Sequence, residues 1–260
     1  MKLSDLGDGF GWNDTMGITA RAMIDTGFEV WGFLIYRCTY GDDDVWDRYM
    51  THLKEAVHKD LDILGRDILM EQYAQWTVIE DKETLDGASK QEVRERFIQW
   101  RDQNSVSREL SEATQLVRTI MPMQTDASTR LPRFTYCLYV DQKCLDTLAA
   151  HVDAKATDLG LRLPPPLVVV IIDGDYPDQR PREWTWPNRD SGIRYSDVEG
   201  CTQKYVGWMY ISTDVLASLY DRLHNGRLDE WGGYSRPPEI WPTGTQLISG
   251  GVSAFVLPLD

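Results

Sequence analysis

Cysteine and histidine are scarce in this chain, four of each in 260 residues, and neither type is spaced for chemistry. Cys38, Cys137, Cys144 and Cys201 lie far apart, with no C-x-x-C pair and no histidine at zinc-finger spacing. Free, buried or half-buried thiols are therefore expected in place of a zinc site or a disulfide framework. His52, His58, His151 and His224 form no H-x-x-x-H pair, so no metal-ligand pair and no obvious general base emerges. Also lacking are G-x-S-x-G, a P-loop and G-x-G-x-x-G. Their absence disfavours a serine hydrolase of the usual type, a nucleotide-driven motor and a dinucleotide oxidoreductase, and no cofactor is expected.

Long apolar runs are missing as well. No stretch approaches the ~20 residues that a membrane span requires, and the opening Met-Lys-Leu-Ser-Asp-Leu-Gly-Asp has no uninterrupted apolar core of a signal peptide. A cytoplasmic protein with no membrane partner is expected. Basic residues are outnumbered 41 to 27, for a net charge of −14, which repels phosphate backbones. Arg180, Arg182, Arg189 and Arg194 are diluted by Asp178, Glu183 and Asp190, so no nucleic-acid partner is expected.

What the chain does have is core-forming material: 42% apolar residues and 11% aromatics, ten of them Trp. That excludes global disorder, and the length suits one large domain over 1–260. An apolar strand is expected over 31–38. A helix should follow, with Trp46, Met50, Leu53 and Val57 on one face and Asp44 as its cap. A second strand falls at 76–80, and Ser89 with Glu92 has capping-box spacing before a helix that carries Val93, Phe97 and Trp100. Residues 102–133 read as a polar connector and 1–29 as an N-terminal extension.

A third strand at 134–140 runs to Asp141 as a cap, and Leu145, Leu148, Ala149 and Val152 then mark a helix face. Residues 167–172, β-branched and without alternation, read as a central strand covered on both faces, ending in Asp173-Gly174-Asp175. After a long aromatic and Pro-rich loop at 174–204 come a strand at 206–211 and a helix through Leu216, Leu219 and Leu223, stopped by left-handed Asn225-Gly226. Residues 139–148 align without gaps on 210–219, both as strand, polar cap and helix. The expected fold is α+β: a mixed or antiparallel sheet with helices mainly on one face, ferredoxin-like (split βαβ), elaborated by long loops.

Two acidic motifs invite a metal reading. Asp43-Asp44-Val45-Trp46-Asp47 matches D-D-x-x-D, but it follows a strand, lacks a second metal motif, and suits a helix N-terminus. Asp173-Gly174-Asp175 resembles strand-end aspartates that hold a divalent ion, yet a tight turn explains it as well. No metal ligand is assigned. Arg37 shares a strand face with Phe33 and Ile35 and needs a partner, either Glu80 or Asp81 in an ion pair or an anionic ligand. Tyr40, Tyr139 and Tyr210 stand near strand ends, where they can donate to a substrate or merely be half buried.

The series Tyr36-Arg-Cys-Thr-Tyr40, Val78-Ile-Glu-Asp81 with Leu85-Asp-Gly-Ala-Ser89, Tyr136-Cys-Leu-Tyr-Val-Asp141 and Gly200-Cys-Thr202 before Val206-Gly-Trp-Met209 resembles a large group of uncharacterised proteins of filamentous fungi, over roughly residues 30 to 240. The resemblance implies a fungal, cytosolic origin and makes specialised metabolism an expectation. It carries no reaction and no site.

Two functions fit. One is a cofactor-independent small-molecule enzyme of isomerase, cyclase or lyase type. Its catalytic candidates are Arg37, Tyr40, Glu80, Asp81, Asp141 and Asp173, and its substrate-binding candidates Tyr139, Trp184, Trp186 and Trp208. The other is an intracellular interaction module or a non-catalytic small-molecule binder, for which a homodimer is one arrangement.

Overall fold

A computed structural model describes residues 2–6, 11, 14–104, 131–156, 165–176, 194–230, 233–243, 245–248 and 251–253. In chain order the main elements are α1 (Gly17–Thr26), β1 (Leu34–Arg37), α2 (Asp43–Ile63), α3 (Asp67–Met70), β2 (Thr77–Ile79), α4 (Lys82–Leu85) and α5 (Lys90–Gln103). There follow α6 (Pro132–Thr135), β3 (Tyr136–Val140), α7 (Gln142–Ala156), β4 (Val168–Asp173), β5 (Trp208–Ser212), α8 (Leu216–Arg222), β6 (Glu239–Trp241), β7 (Thr245–Ile248) and β8 (Gly251–Ser253). Most of the connector and much of the long loop, including Trp184 and Trp186, lie outside the described residues, as does Trp231.

The helix α2 forms where its apolar period demands. Trp46, Met50, Leu53 and Val57 are all buried, joined by Tyr49 and Leu61, and each such side chain contributes about 1.5–3 kcal/mol on leaving water. Its cap is Asp42, whose carboxylate accepts the Val45 N–H at 3.0 Å. Asp44, the expected cap, lies with Asp43 in the first turn, at the positive end of the helix dipole. In α5 the capping box is complete: Ser89 accepts from Glu92 N–H, and Glu92 accepts from Ser89 N–H at 2.7 Å. In α7, Leu145 and Leu148 are buried, but Ala149 is exposed.

Eight strands among the described residues form one mixed sheet in the order β2-β1-β3-β4-β5-β6-β7-β8. β1 is parallel to β2 and β3, β4 runs antiparallel to β3 and β5, and β6 is parallel to β5. The split βαβ order expected from the sequence would place another strand between each helix-linked pair. Here β1 with β2, β3 with β4 and β5 with β6 are direct neighbours, and the long crossover through α2 and α3 lets β2 return parallel to β1. All six residues of β4 are buried, as are all of β1, β3 and β5.

Helices cover both faces, not mainly one. Alternation and register place Arg37, Val140 and Asp173 on one face, where Trp46 of α2 meets Arg37 and Tyr220 of α8 packs edge-on against Phe33. Tyr36, Tyr139, Trp208 and Tyr210 point to the other face, which α5 covers through Lys90, Val93 and Phe97. Tyr139 and Tyr210, matched in the internal similarity, lie in one row, both opposite Val170.

The N-terminal region is part of this body. Thr19 of α1 donates its N–H and its hydroxyl to Asp221 of α8, each at 2.8 Å. No left-handed stop ends α8: Leu223 is right-handed, and neither Asn225 nor Gly226 has a positive φ. Two closely packed glycines lie elsewhere, of which Gly207 is left-handed. Gly207, at φ 77°, has Tyr176 so close that a Cβ would lie 2.3 Å from its ring, and a Cβ on Gly174 would lie 2.7 Å from Phe97. Glycine at both positions lets side chains press directly on backbone.

Candidate functional site

Sequence-derived candidates fall into three separate places. The first is the C-terminal end of β1 and β2. The Arg37 guanidinium is buried between the rings of Tyr40 and Trp46, 4.5 and 4.9 Å from their centroids. Its Nε donates to Thr39 O at 2.9 Å, one terminal nitrogen bonds Asp43, and the other is 3.5 Å from Glu80. The ion-pair reading is therefore the one this geometry supports. Glu80 is a partner, but Asp81 is not: it gives its backbone N–H to the Tyr40 hydroxyl at 2.9 Å. Asp141 is occupied as the cap of α7, accepting Cys144 N–H at 3.1 Å.

The second place is the face under α5. Lys90 Nζ lies 4.2 Å from the Trp208 ring centroid and 5.3 Å from that of Tyr139. Glu199 closes this box at 2.7 Å from Nζ. Glu199 and Gly200 have φ of 50° and 84°, the two left-handed residues of a tight hairpin turn closed by the Val198–Cys201 bridge. Two of the four aromatic residues expected to bind substrate, Tyr139 and Trp208, thus hold the protein's own Lys90, and the Tyr139 hydroxyl is spent on Ala88 O at 2.9 Å.

The third place centres on Asp173, at the opposite strand end from Arg37. Its carboxylate is 1% exposed. It accepts the Tyr205 hydroxyl at 2.7 Å and the Asp175 N–H at 2.9 Å, and Arg227 Nη2 stands 3.9 Å away. Burial raises the Asp173 pKa above the ordinary carboxylate range, against the pull of Tyr205 and of the Asp175 N–H. Burial also pushes the Tyr205 phenol well up, and the Asp173 charge adds to it. Asp175 pairs with Arg101 at 2.8 Å, and Arg94 donates to Asp173 O and Gly207 O. Of these contacts, the Asp175 N–H to the Asp173 carboxylate is the one that a tight turn supplies by itself. Among the described residues no group of three or more His, Cys, Asp or Glu is arranged to hold a metal ion.

Neither a family model, nor a curated protein, nor a solved structure matches this chain.

Next to the Asp173 cluster a cavity of about 340 Å³ opens where α1, α8 and the chain after α8 meet. Ile18, Leu219, Leu223 and Leu228 make its apolar wall, and Arg222 and Arg227 are its cationic residues. Arg222 is steadied 5.4 Å over the Trp241 ring. Arg227 is held from behind by Asp229 at 3.4 Å and by Asp173. Glu230, also on the wall, accepts the Arg227 backbone N–H at 3.0 Å and so closes the local turn. Sequence reasoning missed Arg222 and Arg227. Ile18 and Gly233 bracket the cavity from opposite ends of the chain, and the only local sign was two arginines flanking an Asn-Gly pair.

Proposed function

We propose that the protein binds a compact organic anion with an apolar body in the cavity between α1 and α8. The observation that carries this reading is the pairing of an apolar wall with two arginines, Arg222 and Arg227, in a space of about 340 Å³. That volume is within the range of small-molecule sites, and guanidinium is the side chain best matched to a carboxylate or phosphate. A non-catalytic binder is favoured over an isomerase, cyclase or lyase, because the one carboxylate among the described lining residues, Glu230, accepts a backbone N–H. The enzyme reading rests on Asp173, whose raised pKa suits acid–base work but whose burial makes it a positioning residue behind Arg227. A role in fungal specialised metabolism belongs to this proposal through the sequence resemblance alone.

The test is a thermal-shift comparison of benzoate, phenyl phosphate and benzamide. Stabilisation by either anion and none by the neutral amide is expected, with the effect lost in Arg227→Gln. Equal response to benzamide, or no response to any, would overturn the reading; a partner-dependent shift with no small-molecule effect would move the assignment to an interaction module.

A further inference from the structure

Arg227 belongs to two environments at once. Its side chain is 26% exposed and lines the cavity, while its inner side faces Asp173, which is 1% exposed. At 3.9 Å the contact with Asp173 is longer than a hydrogen bond, so it is held by charge alone and can be given up without breaking a directed bond. Resting on the anion-binding reading, we propose that a carboxylate entering the cavity takes over the charge of Arg227, and that Asp173 then takes up one proton from solvent.

The surroundings of Asp173 leave few alternatives. Asp229 already shares Arg227 at 3.4 Å, and Arg101 is committed to Asp175 at 2.8 Å. Arg94 reaches the Asp173 carbonyl rather than its carboxylate. From β3, Tyr136 sits opposite Asp173 in register and gives no positive charge; from the chain before β5 comes Tyr205. Once a ligand anion balances Arg227, a carboxylate in this low-dielectric position has no cation of its own, which favours its neutral form. The proton also has a place to go. Tyr205 Oη is 2.7 Å from Asp173 Oδ2, and a phenol that donates to a carboxylate can turn and accept from a carboxylic acid. The Asp175 N–H keeps its acceptor on Oδ1 throughout.

The carboxyl pKa is higher in the bound state than in the free state, so binding takes up protons between the two values and affinity rises as pH falls through that window, by up to about tenfold per pH unit. Titration calorimetry with benzoate, in two buffers of different ionisation heat, reads the proton directly. Within that pH window the wild type should take up protons on binding benzoate, and Asp173→Asn should bind benzoate with none. Tyr205→Phe, which keeps the carboxyl that takes up the proton but removes the hydroxyl hydrogen-bonded to it, should shift the pH midpoint of the uptake, and it serves where Asp173→Asn fails to fold. Benzoate binding without proton uptake, or uptake that persists in Asp173→Asn, would overturn the coupling and leave the anion site standing. Absence of benzoate binding by the wild type would overturn both.

Discussion

His224, just past α8, has its Nε2 buried with no hydrogen-bond partner among the described residues, and its ring meets Tyr220 edge-on at 5.5 Å. Burial lowers its pKa to about 4. A depressed imidazole contributes stability that is present above its unfolded value and is lost as pH falls through 6.5 toward 4, up to about 3 kcal/mol. His224→Phe keeps the ring contact and should abolish that acid loss, read as urea-denaturation free energies across the same pH range. Asp60 and Asp221 act with the opposite sign. Burial raises both, although Ser218 donates to Asp60 and Thr19 to Asp221. The folded state therefore holds their protons more tightly than the unfolded chain, and the stability they contribute is full below the ordinary carboxylate range and lost as pH rises through their raised values. Asp221→Asn retains an oxygen for both Thr19 donors and should remove its share of that slope. None of this was legible from residue type, because an aspartate in a helix reads as solvated until its neighbours from other elements are known.

Elements that carry their own punctuation were the easiest to foresee. The capping box of α5 needs only Ser89 and Glu92, three residues apart, and the Ser89 contacts lower the Glu92 pKa. Ser89→Ala should cost about 1 kcal/mol in denaturant unfolding, with the midpoint moved and the slope unchanged. The apolar period of α2 and the β-branched run of β4 were legible for the same reason: the pattern is local and the burial follows from it. By contrast α1 and the strands β6 to β8 went unseen. α1 is short, has no side-chain cap of its own and depends on Asp221 to satisfy its first turn. β6 has only three residues, next to Pro237-Pro238 and Pro242, where proline normally argues against a strand. Of the candidate site, Asp173 was legible as a strand-end acid, and Arg37 as an apolar-face cation in need of a partner. The cavity was not, since its walls come from α1, α8 and the following loop and no short window contains them.

At the scale of the molecule, the charge of −14 acts on every folded contact as mild self-repulsion. Raising ionic strength from about 10 mM to about 150 mM, where the screening length shortens from ~30 to ~8 Å, should raise the melting temperature by a few degrees; a fall would mean that attractive pairs such as Arg37 with Glu80 outweigh the repulsion. The α+β class and the covered central strand could be read from sequence, but the order of strands could not, because β1 and β3 are joined only by pairing distant in the chain. Leu34 lies beside Cys137, and Arg37 beside Val140. That register has a consequence for synthesis. β1 leaves the ribosome with one side open and waits for about a hundred more residues before β3 arrives to close it, an interval of several seconds at ordinary translation rates. Through that interval an apolar strand edge is exposed to any neighbouring nascent chain, so yield in a cell should depend more on how quickly translation passes residue 140 and on chaperone supply than on the stability of the finished protein.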